Sequence, residues 1–184
     1  MRKLINSTYL TLDGVIENPV WTMPYFAEEA VAVATELTTG ADALLMGRAT
    51  YDGFSQAWPA MDENDPNTGA AFFNNVKKYV ASTTLKDPSW KNSEVLEGDL
   101  VEAVAKLKAG DGKNIVQYGY GTVTAQLINA GLVDEVKFWI HPVIEGNASF
   151  SSALSDVKAT FELIDTRVFS NGVIVATYRP KATA

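Results

Sequence analysis

The stretch DALLMGRATYDGF, Asp42 to Phe54, sets the terms on which the rest of the chain is read. A short apolar run, Ala43-Leu44-Leu45-Met46, has the length and character of a buried strand. It breaks at once into Gly47-Arg48-Ala49-Thr50, where glycine alone would have turned the chain. Arg48 and Thr50 add a guanidinium and a hydroxyl at the strand's C-terminal end, where a following helix begins. In an open α/β sheet ligands bind at that position, and helix N-termini favour anions. Two readings stand on this fragment: a phosphate clamp, or a solvated turn whose Arg48 pairs with a neighbouring carboxylate.

A second stretch repeats the logic: NIVQYGYGTVTAQLINAGLVDEVKFWIHPVIEG, Asn114 to Gly146. The strand Ile115–Tyr118 enters Gly119-Tyr120-Gly121, and a helix is predicted from Thr122 to Ala130, closed by Gly131. Small residues there let the backbone approach a pyrophosphate, and free amides of a first helical turn can donate to it. The third glycine of a dinucleotide-binding G-x-G-x-x-G is missing, so a purely structural turn is the competing reading.

Working outward, Leu4–Leu12 reads as a strand stopped by Asp13-Gly14, and Lys78–Ser82 as another. Phe26, Ala30, Val33 and Leu37 recur at helical spacing, which predicts a helix over Pro24–Thr39 with Gly40 as its C-terminal cap. Asp99-Leu100-Val101-Glu102 has capping-box spacing, with Leu100, Val104 and Leu107 on one face before Gly110. Asp62–Gly69 is loop-like. Val136–Val143 is strand-like, and Asn171-Gly172 between Val168-Phe169-Ser170 and Val173-Ile174-Val175 predicts a two-residue hairpin. Strands alternate with helices through two-thirds of the chain and then stand alone. That pattern predicts α/β architecture with a mostly parallel sheet and an antiparallel C-terminal hairpin at or near an edge. At 184 residues, 47% hydrophobic and without internal repeats, a single domain over 1–184 is expected.

Composition narrows the chemistry. Fifteen Lys and Arg against 22 Asp and Glu give a net charge of −7, which argues against nucleic acid or an anionic membrane as main partner. With no cysteine, disulfides, thiolate metal sites and thiol catalysis are excluded. One histidine, His141, rules out a His-rich metal site, and its strand-end position reads as structural. No apolar run nears the ~20 residues of a membrane span, and Met1-Arg2-Lys3 leads into a strand, so a cytoplasmic protein is expected. Asp134-Glu135 reads as a turn pair, and Asp62, Glu63 and Asp65 as solvated carboxylates rather than a cation site. No metal is expected.

Taken together, the order strand–Asp-Gly, helix, strand–M-G-R-x-T, strand–S-T, strand–G-x-G–helix, then L-V-D-E and strand–H-P-V-I-x-G resembles the dihydrofolate-reductase-like family. The resemblance is greatest to its branch related to the C-terminal reductase domain of riboflavin-biosynthesis deaminase-reductases. It covers nearly the whole chain, from TLDGVI (Thr11–Ile16) onward, and LLMGRATY and GLVDEVKFWIHPVIEG carry it most specifically. It implies a three-layer α/β fold, NADPH as hydride donor, a small heterocyclic substrate such as a ribosylamino-uracil phosphate, and a homodimer. Carried over by position, Gly47, Arg48 and Thr50, with Ser82 and Thr83, would meet the adenosine-side phosphate. Gly119, Gly121, Thr122 and Val123 would cradle the pyrophosphate. Asp13 and Gly14 would belong to a loop over nicotinamide and substrate.

Substrate residues depart from the family pattern. Trp21-Thr22-Met23-Pro24 resembles the start of the substrate-lining helix of dihydrofolate reductases, but Phe26 stands where their carboxylate lies. Tyr118 stands where the riboflavin branch commonly has Glu, and no spare basic cluster awaits a substrate phosphate. A cis peptide carried over to Gly119–Tyr120 would cost roughly 3 kcal/mol relative to trans. The expectation is a reductase of C=N or C=O bonds with Trp21, Tyr25 and Phe26 lining the substrate and Glu28 or Asp13 supplying the proton. The rival is a nucleotide-binding or interaction module on the same fold whose catalysis has decayed.

Overall fold

The computed structural model describes residues 1–66, 68–146 and 157–181. Asn67 of the Asp62–Gly69 loop lies outside the described residues. Among the described residues eight strands form one sheet: β1 (Leu4–Thr11), β2 (Ala41–Gly47), β3 (Lys77–Ala81), β4 (Ser93–Val95), β5 (Asn114–Tyr118), β6 (Glu135–His141), β7 (Phe161–Val168) and β8 (Ile174–Pro180). Their order is β4-β3-β2-β5-β1-β6-β8-β7. Every pairing from β4 to β6 is parallel, and β8 runs antiparallel to both β6 and β7.

The central strands read as continuous apolar runs because helices cover both faces. Along β2, Leu44 and Met46 face one side and Ala43 and Leu45 the other. Leu37 of α1 (Glu28–Thr39), Tyr51 of α2 (Arg48–Ala57) and Phe73 of α3 (Ala70–Asn75) pack on the first face. Val104 of α4 (Leu100–Ala109) and Leu127 and Ile128 of α5 (Thr122–Asn129) pack on the second. Helices, sheet and helices make three layers, as expected. Asp99 caps α4, accepting from the amides of Val101 at 2.9 Å and Glu102 at 3.1 Å.

Three local expectations are corrected. The helix predicted from Pro24 begins at Glu28; Pro19–Tyr25 is instead a 3-10 turn, and Ala27 is extended. Phe26 is 48% exposed, whereas Ala30, Val33 and Leu37 are buried, so the apolar face that holds α1 starts one turn later. The C-terminal hairpin has a three-residue loop, Ser170-Asn171-Gly172. The Gly172 amide donates to Phe169 O, the Phe169 amide donates to Val173 O, and positive φ falls on Gly172 alone. That is a turn followed by a left-handed glycine, not the pair of left-handed residues a two-residue loop needs. Finally, β4 and most of β7 escape sequence reading. β4 is three residues long, and β7 is an exposed edge with a bulge between Leu163 and Asp165, so neither shows alternation.

Two buried lysines tie the layers down. Lys78 is fully buried at the start of β3, donates to the carbonyls of Asn74, Val76 and Lys91, and lies 4.3 Å from the Trp90 ring centre. Burial pushes its ammonium down to about 8. Lys108 ends α4 and reaches Leu132 O and Asp134, whose carboxylate also accepts from the Leu4 amide. Asp134 is thus a structural turn residue, and its neighbour Glu135 pairs with Lys3.

Candidate functional site

Parallel pairing aligns the strands' C-terminal ends. Gly47 lies opposite Ala81 of β3, and Met46 opposite Tyr118 of β5. The residues that follow these ends, Arg48, Ser82 and Gly119, therefore stand in a row along one edge of the sheet. The two glycine turns touch. A Cβ on Gly119, whose φ is +83°, would sit 2.5 Å from Thr50 Oγ1, and one on Gly47 would sit 3.5 Å from Val123. Among the described residues every peptide bond is trans, Gly119–Tyr120 included.

Gly121 is glycine for a different reason. Its φ of −166° is open to any residue, and nothing lies within 4 Å of a Cβ placed there. It precedes the first turn of α5 and offers no side-chain cap, so a space bare of side chains faces the leading amides of Thr122 and Val123. Backbone packing alone does not call for glycine there.

Arg48 opens α2. Its Nε donates to Asp52 at 2.8 Å, an exposed pair one helical turn apart of the kind worth about 0.3–0.5 kcal/mol. Its terminal nitrogens donate to no described residue and remain open to an anion. Ser82 Oγ accepts from the Leu85 and Thr84 amides at 3.0 and 3.2 Å, closing the turn after β3, and Thr83 is exposed beside it.

Beside Tyr118 a cavity of about 220 Å³ opens between α1, α2, the residues Pro66, Thr68 and Gly69, and the sheet. Tyr9, Phe26, Phe54, Trp58, Phe73 and Tyr118 supply its rings, and no charged side chain among the described residues lines it. Phe54 and Phe73 hold the Tyr118 ring at 5.6 and 5.4 Å between centres, and Trp58 stacks on Phe73 at 3.9 Å. Burial pushes the Tyr9 phenol up to about 12 and the Tyr118 phenol further, with Tyr9 adding to the latter. A larger cavity, about 460 Å³, lies at the opposite end of the sheet around Lys3, Asp134 and Arg179 and shares no residue with either glycine turn.

Of the expected substrate residues, only Phe26 lines this cavity. Trp21 and Tyr25 instead pack edge-on against His141, at 5.1 and 5.7 Å. His141 is buried, bonds Trp139 O through Nδ1, and is pushed down by desolvation, in keeping with a structural role. The expected proton donors stand elsewhere too. Asp13 accepts from Thr11 Oγ1 at 2.6 Å and from the Gly146 and Glu145 amides at 2.7 and 3.3 Å. Chiefly the Thr11 bond holds its carboxyl below the usual range, the reverse of what a donor near neutrality needs. Glu28 is exposed at the start of α1, outside the cavity lining. The aromatic walls Tyr9, Phe54, Trp58 and Phe73 had no signature, since each comes from a segment that reads as ordinary core. Glu63 pairs with Lys91 and Asn75, Asp62 accepts from Asn64, and no metal-holding cluster occurs among the described residues.

With this geometry in place, known proteins can be set beside the chain. Residues 2–175 match the family model of the RibD C-terminal domain. The chain is 32% identical to the uncharacterized protein YyaP of Bacillus subtilis (strain 168), over 96% of its own length and 94% of that protein's. A Shewanella sp. PV-4 protein provisionally named for riboflavin biosynthesis superposes with a TM-score of 0.66 at 21% identity, covering 97% of this chain and 99% of that one. The Thermotoga maritima diaminohydroxyphosphoribosylaminopyrimidine deaminase/5-amino-6-(5-phosphoribosylamino)uracil reductase superposes at 0.65 and 19% identity, over 98% of this chain and 57% of its own. These structural likenesses establish the shared fold.

Proposed function

Because the chain belongs to the RibD C-terminal domain family, a family of reductase domains, we propose that it is an NADPH-dependent reductase of a small, flat, uncharged compound. The observation that carries this reading is the bare cradle at Gly121, next to an aromatic cavity that holds no charge. NADPH, when bound, supplies the hydride that adds to a C=O or C=N carbon.

The chain's own residues do the rest. The amides of Thr122 and Val123 donate to the pyrophosphate across Gly121. The open guanidinium nitrogens of Arg48, with Thr50, Ser82 and Thr83, take the adenosine-side phosphate, and this favours NADPH over NADH. The rings around Tyr118 exclude water and sandwich the flat substrate. A ribosylamino-uracil phosphate would bring a phosphate into a cavity without a cation, and dihydrofolate would find Phe26 where its ring needs an acid. Both are expected to turn over orders of magnitude more slowly than with dedicated enzymes. A homodimer belongs to this reading, since edge strand β7 exposes Leu163 by 53% and Val168 by 68%.

Thermal-shift titration with NADPH, NADH, NADP and FMN tests the proposal. Stabilisation by NADPH well beyond NADH is expected, and no response to either nicotinamide nucleotide overturns it. One observation favours the rival, a binding module without catalysis: no carboxylate among the described residues lines the cavity. That rival predicts NADPH binding without oxidation of NADPH by any flat carbonyl compound.

A further inference from the structure

The cavity lacks a charged group, yet it is not without polar chemistry. Tyr9 and Tyr118 come from neighbouring parallel strands, with Ser7 opposite Tyr118 and Tyr9 two residues further along the same face. Neither phenol oxygen hydrogen-bonds a described residue. Nor is either sealed in, because the buried side-chain polar atoms left without a partner are Trp21 Nε1 and Ser93 Oγ. Both residues line the cavity, and neither phenol oxygen is sealed. Their rings are fixed from outside: Tyr9 by Trp139 and His141, edge-on at 5.4 and 5.6 Å, and Tyr118 by Phe54 and Phe73. Two immobilised O–H groups facing an apolar, ring-walled space of about 220 Å³ form a site for one hydrogen-bond acceptor on a flat neutral molecule.

We propose that Tyr9 and Tyr118 together bind the oxygen of a neutral planar carbonyl compound and deliver the proton that its reduction requires. This rests on the reductase reading given above. Hydride adds to the carbonyl carbon, the π pair of C=O moves to the oxygen, and that oxygen takes a phenol proton. The phenolate left behind recovers its proton from water at the cavity mouth, where Phe26 is 48% exposed. An alkoxide is a stronger base than a phenolate, so the transfer runs downhill even though burial raises both phenols. Tyr118 takes the place of the riboflavin-branch glutamate, and the exchange replaces a charged acceptor with a neutral hydroxyl that can donate to a carbonyl oxygen.

The test uses isatin, a neutral planar dicarbonyl, and isatin-5-sulfonate, the same ring bearing a charge. Calorimetric titration without nucleotide is expected to show isatin binding, at least tenfold weaker binding of the sulfonate, and at least tenfold loss in the Tyr9→Phe/Tyr118→Phe double variant. With NADPH, each single variant should lower kcat at least tenfold, while NADPH affinity measured separately stays unchanged. Unaltered isatin binding and turnover in the double variant, or no isatin binding by the native chain, overturns the phenol pair. Phenol-dependent isatin binding without NADPH oxidation leaves carbonyl recognition standing and overturns the reductase reading along with the proton delivery.

Discussion

Along one edge of the sheet, two adjoining regions present different chemistry. The turns after β2 and β5 offer backbone amides, one guanidinium and hydroxyls, set by glycines whose spacing is local in sequence. The cavity beside them offers rings and two phenols gathered from β1, α2, α3 and β5. The first region can hold charge and is shaped by main chain. The second excludes charge and is shaped by side chains. A change that matters in one should therefore leave the other nearly untouched, and that separation can be broken experimentally.

The largest effect is expected at Gly121. Gly121→Val should cost NADPH about 3 kcal/mol or more of binding, a hundredfold or beyond, because the new side chain fills the bare cradle. Thermal stability should change little, since nothing lies within 4 Å of its Cβ. Normal NADPH affinity in this variant would reduce the turn to a structural element and erase the contrast.

Gly119→Ala sharpens the comparison two residues away, where the requirement is the fold's own. A φ of +83° together with a 2.5 Å approach to Thr50 should destabilise the protein by about 2–4 kcal/mol. Calorimetry should show a melting point lower by roughly 5–15 °C. An unchanged melting point would mean that the two turns do not press on each other.

Arg48→Ala comes next. NADPH affinity should fall by about 1.5–3 kcal/mol, the scale of a charge-assisted hydrogen bond, while NADH affinity and carbonyl binding stay constant. Equal losses for both nucleotides would return Arg48 to the role of a surface partner for Asp52.

The smallest effect separates the regions by pH. The Tyr9 phenol is raised to about 12 when folded, against about 10 when unfolded. Above pH 10 the unfolded chain loses that proton first, so this contribution is complete below pH 10 and disappears as pH rises through 12. Tyr9→Phe should reduce the alkaline loss of stability by about 2 kcal/mol between pH 10 and 12. An identical alkaline profile would show that Tyr9 ionises as freely in the fold as out of it.

How far each region could be read in advance follows from the same contrast. Gly47-Arg48-x-Thr50 and Gly119-x-Gly121-Thr122 are short local patterns at strand ends, so the positions that meet at the edge were legible. The central strands were equally plain as short apolar runs, because Leu44 and Leu45 are buried in opposite layers. The cavity side was not legible. Trp21-x-x-Pro24 pointed to a pocket wall, but the 3-10 turn swings Trp21 and Tyr25 onto His141. The carboxylates of Asp13 and Glu28 looked available until Asp13 was seen bonding the loop after β6. Tyr9 and Trp58 resemble any core aromatic until distant strands and helices converge.

Lys78 carries a consequence for watching this protein move. Its amine is fully enclosed and bound to three carbonyls, yet its burial-lowered affinity for a proton places it near half-neutral at about pH 8. An acylating reagent cannot reach it while α3 and the Trp90 segment stay seated, so modification waits for a local opening. Solvent-facing lysines such as Lys86 and Lys91 would react at once, and Lys78 would follow at a rate set by how often that corner lifts. Mass-resolved labelling of this single side chain is therefore a built-in clock for breathing at the β3 side of the sheet.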